Sequence, residues 1–393
     1  MQTIFVVFSN YFIFCQLDAL VFSIFSFSMS TLHQVALTYV KNVGPSIAKL
    51  MVSYFGSAER IFTVPKSKLL DIPGISQNRV EQLKLDEALH KAEQELKFVE
   101  KNNIEVIFYT DAAYPKRLKN LNDSPILLYS KGNMDVNARR VINIVGTRNA
   151  TEYGKHLCRQ LIEELQPYNV LIVSGLALGI DVCAHKECIK LDMPTIGVLG
   201  HGLDMLYPGQ NKSTAEKMLE NGGLLSEYPS GTTPDRGNFP ERNRIVAGMA
   251  DATVVIEASL KGGALITAEI ANSYNRDVFT FPGRIGDEFS EGCNFLVRHN
   301  KAALLTNAAD LAYSLGWEKE EGMQITQQLA LPIDLSAEER FIFEIIRENR
   351  QPLAIDDLSI KINMPMSLLA MNLLNMEMQG YIRSLPGKTY TIN

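Results

Sequence analysis

Runs of four to six consecutive apolar residues recur through the middle of the chain. They lie at 104–109, 126–130, 141–145, 170–174, 195–199, 252–257 and 277–281. Uninterrupted aliphatic runs of this length are typical of strands that are covered on both faces of a sheet. Amphipathic segments that predict helices separate several of the runs, at 152–166, 180–190, 212–221, 241–249 and 264–274. Strands that alternate with such helices predict an α/β fold with a doubly wound, mostly parallel sheet.

Residues 29–100 predict a small helical domain ahead of this main domain, which we place at 101–316. It contains two glycine-bearing turns, VKNVGPSIAKL at 40–50 and LLDIPGISQNRV at 69–80. Both turns resemble helix-hairpin-helix motifs, whose backbone amides contact nucleic-acid phosphates. Two ordinary helical hairpins are the alternative, because glycine-containing helix turns are common. A polar linker is predicted at 317–334.

Residues 335–393 predict a winged helix. The segment LSAEERFIFEIIREN is an amphipathic helix with Ser336 and Glu339 at the positions of a capping box. Two more helices and a terminal hairpin follow. The candidate recognition helix, from Met366 to Gln379, is rich in Met and Leu and contains neither Lys nor Arg. A major groove is read mainly by Arg, Lys, Asn and Gln, so we assign this domain to protein contacts or packing rather than to duplex DNA.

The first 28 residues differ in composition from the rest. They are rich in Phe, Ile and Val, contain Asn10, Gln16 and Asp18, and have no Lys or Arg. A signal peptide begins with positive charge, and a membrane span needs about 20 uninterrupted apolar residues. We interpret residues 1–28 as a non-native extension ahead of a start at Met29. A membrane anchor is the alternative.

The charge and cysteine content restrict the function classes. The net charge of −6 means that any nucleic-acid site must be a local basic patch on an acidic protein. The five cysteines are scattered and odd in number, which favours reduced thiols and a cytoplasmic location. Cys183, His185 and Cys188 diverge on a helix and do not converge as zinc ligands. We predict no metal site, no cofactor and no catalytic residue, and we expect no stable membrane association.

Three strand-to-turn junctions contain groups that bind anions. The junctions read INIVGTRNA (142–150), LIVSGLALGID (171–181) and VVIEASLKGGALITA (254–268). In an open α/β sheet the ends of such strands gather at one edge, where helix N-termini attract anions. The candidate residues at these junctions are Arg148, Ser174, Gly175, Lys261, Gly263 and Thr267. Asp181 and His185, four residues apart on one helix, are interpreted as a pair that braces the loop, with catalysis as the alternative.

The segment FPERNR (239–244) contributes Phe239, Arg242 and Arg244. Both arginines lie near a predicted helix N-terminus, where the helix dipole disfavours cations, so a bound anion is expected there. Phe239 is placed to stack on a nucleobase. The alternative is that Phe239 is a core residue and that Glu241 pairs with one of the arginines.

Taken in order, these motifs resemble the DNA-processing protein A family (DprA, also called Smf). The resemblance covers about residues 29–393. The motifs that carry it are YPKRLKNLNDSPILLYSKG, IVGTRNATEYG, VSGLALGIDVCAH, LGHGLDMLYPGQN, LLSEYPSG, FPERNRIVAGM, GGALITA and FPGRIGDEFSEGCN. Thr147 and Gly262 stand where the family often has serine. Residues 1–28 have no counterpart in the family.

The resemblance implies an extended Rossmann-like domain, flanked by a helix-hairpin-helix or SAM-like domain and a winged helix. It implies a homodimer formed through the Rossmann domain, which binds single-stranded DNA and loads a RecA-type recombinase onto it during natural transformation. The residues that would form or support its basic pocket are Arg148, Ser174, Gly175, Phe239, Arg242, Arg244, Gly263 and Thr267.

Two other function classes fit parts of the pattern. Nucleoside-monophosphate phosphoribohydrolases have a similar fold and a P-G-G-x-G-T-x-x-E signature, of which KGGALITAE keeps only a part, including Glu269. A pure adaptor protein, in which the basic cluster is an internal ion-pair network, is the third possibility.

Overall fold

The computed structural model describes residues 29–318, 335–349, 352–385 and 389–392. The chain divides into two compact units, one up to Glu320 and the other from Glu321 onwards. The predicted extension at 1–28 and nearly all of the predicted linker at 317–334 lie outside the described residues. Each helix in the described part of the chain is too short or too polar to span a bilayer.

The larger unit begins with the predicted small helices. They are α1 (Met29–Thr38), α2 (Pro45–Phe55), α3 (Ala58–Thr63), α4 (Gln77–Gln82) and α5 (Leu85–Lys101), with a 3-10 turn at Lys66–Asp71. Pro45 occupies the first turn of α2, where its missing N–H removes no helical hydrogen bond. Gly74 has φ of +83°, a conformation that glycine adopts without strain. The apolar faces of these helices share one core with the first two strands of the sheet.

The strands of the larger unit are β1 (Glu105–Phe108), β2 (Leu127–Asn133), β3 (Val141–Val145), β4 (Leu171–Ser174), β5 (Thr195–Leu199), β6 (Gly222–Ser226), β7 (Ala252–Val255), β8 (Asp277–Thr280) and β9 (Ala303–Leu304). The helices between them are α6 (Lys116–Lys119), α7 (Glu152–Leu165), α8 (Ile180–Lys190), α9 (Lys212–Met218), α10 (Asn238–Met249), α11 (Gly263–Ser273), α12 (Glu288–Arg298) and α13 (Ala308–Ser314). Within the described residues, the strands form one sheet in the order β1-β2-β6-β5-β4-β3-β7-β8-β9. The pairings from β6 to β9 are parallel, and β1 and β2 are antiparallel additions. The predicted doubly wound, mostly parallel α/β sheet is confirmed.

Strand β6 was absent from the predicted strands. Its sequence, GGLLS, begins with two glycines, which lower the intrinsic preference for a strand. The strand forms because β5 and β2 pair with its two edges. A side chain at Gly222 would lie 2.0 Å from the carbonyl oxygen of Thr195, and Gly222 also has φ of +139°. The close approach of the two backbones therefore requires glycine at position 222, and glycine is also the residue that makes this segment hard to predict as a strand.

The smaller unit has the order of elements of a winged helix. It contains α14 (Ala337–Glu348), β10 (Leu353–Ala354), α15 (Ile355–Ile362), α16 (Met366–Met378), β11 (Ile382–Leu385) and β12 (Thr389–Ile392). The predicted capping box is present, since the Glu339 amide donates to Ser336 Oγ at 3.2 Å and the Ser336 amide donates to Glu339 Oε2 at 2.9 Å. Helix α16, the predicted recognition helix, buries Leu369 and Leu373 and exposes Met371 and Met378.

Candidate functional site

The sheet reverses its direction of winding between β3 and β7. From β3 the chain builds outward through β4, β5 and β6, and it then returns to add β7, β8 and β9 on the other side. At such a switch point the loops that follow the strands separate and leave a crevice, which is where open α/β sheets bind ligands. A cavity of about 660 Å³ lies at this position. The predicted residues that line it are Arg148, Gly175, Phe239, Arg242, Gly263 and Thr267.

The loop after β3 holds Arg148 at the rim of the cavity. Glu257, which follows β7, fixes the loop: its backbone carbonyl accepts the Thr147 amide at 2.8 Å, and its carboxylate accepts the Thr151 amide at 3.0 Å and the Thr151 hydroxyl at 2.5 Å. Arg148 is exposed. Its guanidinium carbon lies 5.6 Å from the centre of the Phe239 ring, a cation–π distance.

Tyr207 is a second aromatic neighbour of Phe239. The two rings are 6.1 Å apart and inclined by 31°, and half of Tyr207 is exposed. An arginine and two aromatic rings therefore line one wall of the site. Flat groups of this kind stack on nucleobases irrespective of their sequence.

Gly175 follows β4 and lies against the most deeply buried charges of the site. A Cβ at this position would lie 2.5 Å from Asp181 Oδ2 and 2.7 Å from Arg242 Nη2, so only glycine fits. Asp181 and Arg242 are both more than nine-tenths buried. Arg242 donates to the Val198 carbonyl and to Asn243 Oδ1. Burial raises the pKa of the Asp181 carboxyl, and the positive charge of Arg242 opposes that rise.

The third side of the cavity is the N-terminus of α11. Gly262 is the residue before the helix, and no side chain caps it. Gly263 has open space where a side chain would be, which leaves the first amides of α11 accessible. Thr267 is directed inward and donates to the Gly263 carbonyl at 3.3 Å. Free amides at a helix N-terminus form an anion-binding position.

Three predicted residues do not line the cavity. The Ser174 hydroxyl is fully buried and donates to the Ile144 carbonyl at 2.6 Å. Arg244 pairs with Glu227, which is also largely buried. Lys261 is exposed next to Gly262 and is absent from the lining. The expectation that Arg244 needs an external anion is wrong, because Glu227 pairs with it. Asp181 lies beside Arg242, and the expected anion at Arg242 stays a prediction.

The predicted Asp181–His185 pair is also wrong. His185 Nδ1 contacts Thr195 Oγ1 at 2.7 Å, and Nε2 contacts the Gly175 carbonyl at 2.6 Å. His185 is fully buried, and this burial lowers its pKa to about 4. The neutral imidazole ring therefore donates a hydrogen bond to the Gly175 carbonyl and fixes the backbone there.

Sequence reasoning missed Tyr207 and Arg236 as lining residues. Tyr207 lies in the motif LGHGLDMLYPGQN, and an aromatic residue in a glycine-rich loop after a strand was the available signal. Arg236 precedes α10 by two residues. Its position depends on the path of the loop between β6 and α10, and β6 was not predicted.

The lowered pKa of His185 predicts a pH dependence of stability. As the pH falls from about 6.5 to about 4, the unfolded chain binds a proton that the folded protein does not, so folding loses roughly 3 kcal/mol. In His185→Gln this loss is expected to disappear. The free energy of unfolding can be measured by urea titration at pH 7 and pH 4.5. The probe is the fluorescence of Trp317, which packs against the same apolar cluster as α8. An equal loss in both proteins would contradict the assignment.

Two family models match the chain. The model described as "DNA recombination-mediator protein A" matches residues 105–316, and the model of the DprA winged helix domain matches residues 327–388. The "Protein Smf" of Synechocystis sp. is 37% identical over 288 residues, which are 72% of this chain and 72% of that protein. The DNA processing protein DprA of Streptococcus pneumoniae is 39% identical over 201 residues, 51% of this chain and 71% of that protein.

Two of the solved structures that resemble this protein come from the same family. The DprA structure from Streptococcus pneumoniae gives a TM-score of 0.63 at 30% identity, and the match covers 73% of this chain and 98% of that chain. The structure of DNA processing protein A from Helicobacter pylori gives a TM-score of 0.50 at 30% identity, covering 55% of this chain and 97% of that chain. The Helicobacter pylori protein is described as having a unique single-stranded DNA binding mode.

Proposed function

This chain belongs to the DNA recombination-mediator protein A (DprA) family, and we propose that it binds single-stranded DNA in the crevice between β3 and β7. The observation that carries the proposal is the composition of that crevice. Arg148 stacked on Phe239 forms one wall, and the open N-terminus of α11 forms another. The first suits a nucleobase and the second a phosphate, so a single nucleotide strand meets both requirements.

The arrangement favours a single strand over a duplex. Bases in a duplex are stacked on one another and present only their edges, whereas the faces of Phe239 and Tyr207 need an unstacked base. The pocket contains two exposed cations, Arg148 and Arg236, the first of them over an aromatic ring, and one buried cation, Arg242, with Asp181 beside it. Such a site holds the strand by stacking and by a few phosphate contacts, without reading sequence.

We also propose that the protein acts in the cytoplasm and passes the bound strand to a RecA-type recombinase during DNA uptake by natural transformation. The description of the family as a recombination mediator supports this step. The acidic net charge fits a protein that binds DNA locally and then releases it to another protein.

We propose a homodimer formed through the Rossmann domain. Strand β9 ends the sheet, both of its residues are exposed, and Leu304 is 49% exposed. An exposed edge strand with an apolar side chain is a surface that proteins commonly cover.

The phosphoribohydrolase alternative depends on Glu269, the last residue of the partial signature. The Glu269 carboxylate lies 2.5 Å from Lys301 Nζ, is about half exposed and is absent from the cavity lining. No observation on the described residues favours this enzyme activity over DNA binding.

Replacing Arg148 with Ala is expected to weaken single-stranded DNA binding about tenfold, because both the stacking surface and a phosphate partner are lost. The affinity can be measured by fluorescence anisotropy, with labelled single-stranded and duplex oligonucleotides at two salt concentrations. The loss should be similar for all sequences, and the log–log salt slope should fall by about 0.7. Lys97→Ala, which removes one exposed charge from α5, is the control. Unchanged affinity of Arg148→Ala at moderate salt would contradict the assignment.

Recombinase loading is expected to need the same crevice. On DNA covered by a single-strand-binding protein, the wild-type protein should shorten the lag before recombinase ATP hydrolysis begins, and Arg148→Ala should leave the lag unchanged. Lys97→Ala should act as the wild type does. A variant that binds no DNA but still shortens the lag would show that loading does not proceed through this site.

The homodimer is expected to depend on Leu304. Leu304→Glu places a charge on the exposed edge strand and should halve the molar mass measured by light scattering, because a buried unpaired charge is costly. Ile285→Glu, at a position that is 94% exposed, is the control and should leave the mass of the dimer unchanged. A monomeric wild type at micromolar concentration would refute the proposed dimer.

A further inference from the structure

We infer that Glu95, in the N-terminal helical region, is a positioning residue for the single-stranded DNA site. This inference rests on the function proposed above. It assigns to the helical region a part in DNA binding that needs no contact between its own residues and DNA.

Glu95 holds one residue of the main sheet domain with both of its carboxylate oxygens. Oε1 accepts the backbone amide of Ser230 at 3.0 Å, and Oε2 accepts the Ser230 hydroxyl at 2.5 Å. Tyr39, the residue after α1, donates its hydroxyl to Oε2 at 3.3 Å. Glu95 is only 3% exposed. Helix α5 therefore binds the backbone and the side chain of a single loop residue at the same time.

Ser230 lies in the loop 227–237, which connects β6 to α10. Thr232 accepts the Gly202 amide at 3.0 Å, and a side chain at Gly202 would lie 2.5 Å from the Pro229 carbonyl. This loop is consequently fixed on one side by Glu95 and on the other by the loop after β5. The loop after β5 continues to Tyr207, which lines the crevice.

The loop 227–237 leads directly into the crevice. Tyr228 donates its hydroxyl to Glu241 Oε2 at 3.2 Å, which ties the start of the loop to the first turn of α10. Arg236 and Phe239, which follow, line the cavity with Arg242. Movement of Ser230 would therefore change the positions of Arg236 and of the Phe239 ring in the crevice.

The contact suits a carboxylate, because both of its oxygens accept hydrogen bonds. The donors that reach Glu95 in the described structure are two hydroxyls and one amide, none of which is cationic. Burying a carboxylate without a counter-ion is costly unless several donors satisfy it. A glutamine at this position keeps one oxygen acceptor and has an NH2 donor in place of the other, so the Ser230 and Tyr39 hydroxyls would have to turn and accept, and the charge-assisted bonds would become weaker neutral ones.

Electrostatics alone predicts the opposite effect from positioning. Removing a negative charge from an acidic protein should strengthen its attraction for a polyanion. If Glu95 positions the loop, Glu95→Gln should instead weaken binding, because the crevice loses its fixed geometry. The sign of the change in affinity therefore separates the two effects.

The experiment measures the affinity of the full-length protein for a labelled oligo-dT, and amide hydrogen exchange across 228–237 without DNA. Glu95→Gln is expected to bind about fivefold more weakly and to exchange faster in that loop. Ser230→Ala, which keeps the carboxylate, should lose affinity in the same direction. The double variant should lose less than the product of the two single losses, since both remove one interaction. Glu100→Gln removes the same negative charge from an exposed position on the same helix, and its affinity should equal that of the wild type.

The outcomes separate this inference from the proposed function. Affinity that is unchanged or tighter in both Glu95→Gln and Ser230→Ala, in proteins with wild-type thermal unfolding, overturns the positioning role. If Glu95→Gln fails to fold, Ser230→Ala decides the question. If the wild-type protein binds no DNA, the proposed function fails. In that case the amide hydrogen exchange still tests the contact: an unchanged exchange rate at 228–237 in Glu95→Gln would show that Glu95 does not fix the loop.

Discussion

The crevice depends on the reversal of winding at β3. Because β4 and β7 lie on opposite sides of this strand, the loops after β3, β4 and β7 must open away from one another at the same edge of the sheet. Segments that are distant in the chain reach one cavity through this constraint. The loop after β3 brings Arg148, the loop after β4 brings Gly175, and the helix after β7 brings its open N-terminus at Gly263.

Charge is distributed in layers around this crevice. Buried carboxylates face the two arginines of α10: Asp181 lies beside Arg242, and Glu227 pairs with Arg244. Exposed Arg148 instead lies over an aromatic ring. A protein with a net charge of −6 therefore has an exposed positive charge at the rim of the crevice, while the two buried arginines of α10 face carboxylates.

The sequence predicted the elements in which one signal is strong and local. Strands β3 and β5 were expected at 141–145 and 195–199 and are found there, because uninterrupted aliphatic runs have few alternatives. Strand β6 was missed because GGLLS becomes a strand only through its neighbours. Helix α12 was missed as well, and it contains Gly292 in close contact with the backbone of Ala258. Such contacts between distant segments leave no periodic pattern in the sequence.

The same difference between local signals and contacts of distant segments applies to the site. The convergence of Arg148 and Gly263, which follow β3 and β7, could be expected from a general rule about strand ends, whereas Phe239 follows β6, a strand that was not predicted. The carboxylate beside each arginine could not be expected, because Asp181 lies in the first turn of α8 and Glu227 follows β6, both distant from α10 in the chain. The contact between Glu95 and Ser230 joins residues 135 positions apart.

The shared core of the helical region and the sheet affects how the protein can be divided experimentally. Val35 and Met51 of the helices belong to the same apolar cluster as Phe108, Leu127 and Tyr129 of β1 and β2. A fragment that begins at residue 101 would expose the apolar side of these strands to water, and an exposed surface of that kind favours aggregation. Point substitutions therefore report on the contribution of the helical region more faithfully than its deletion does.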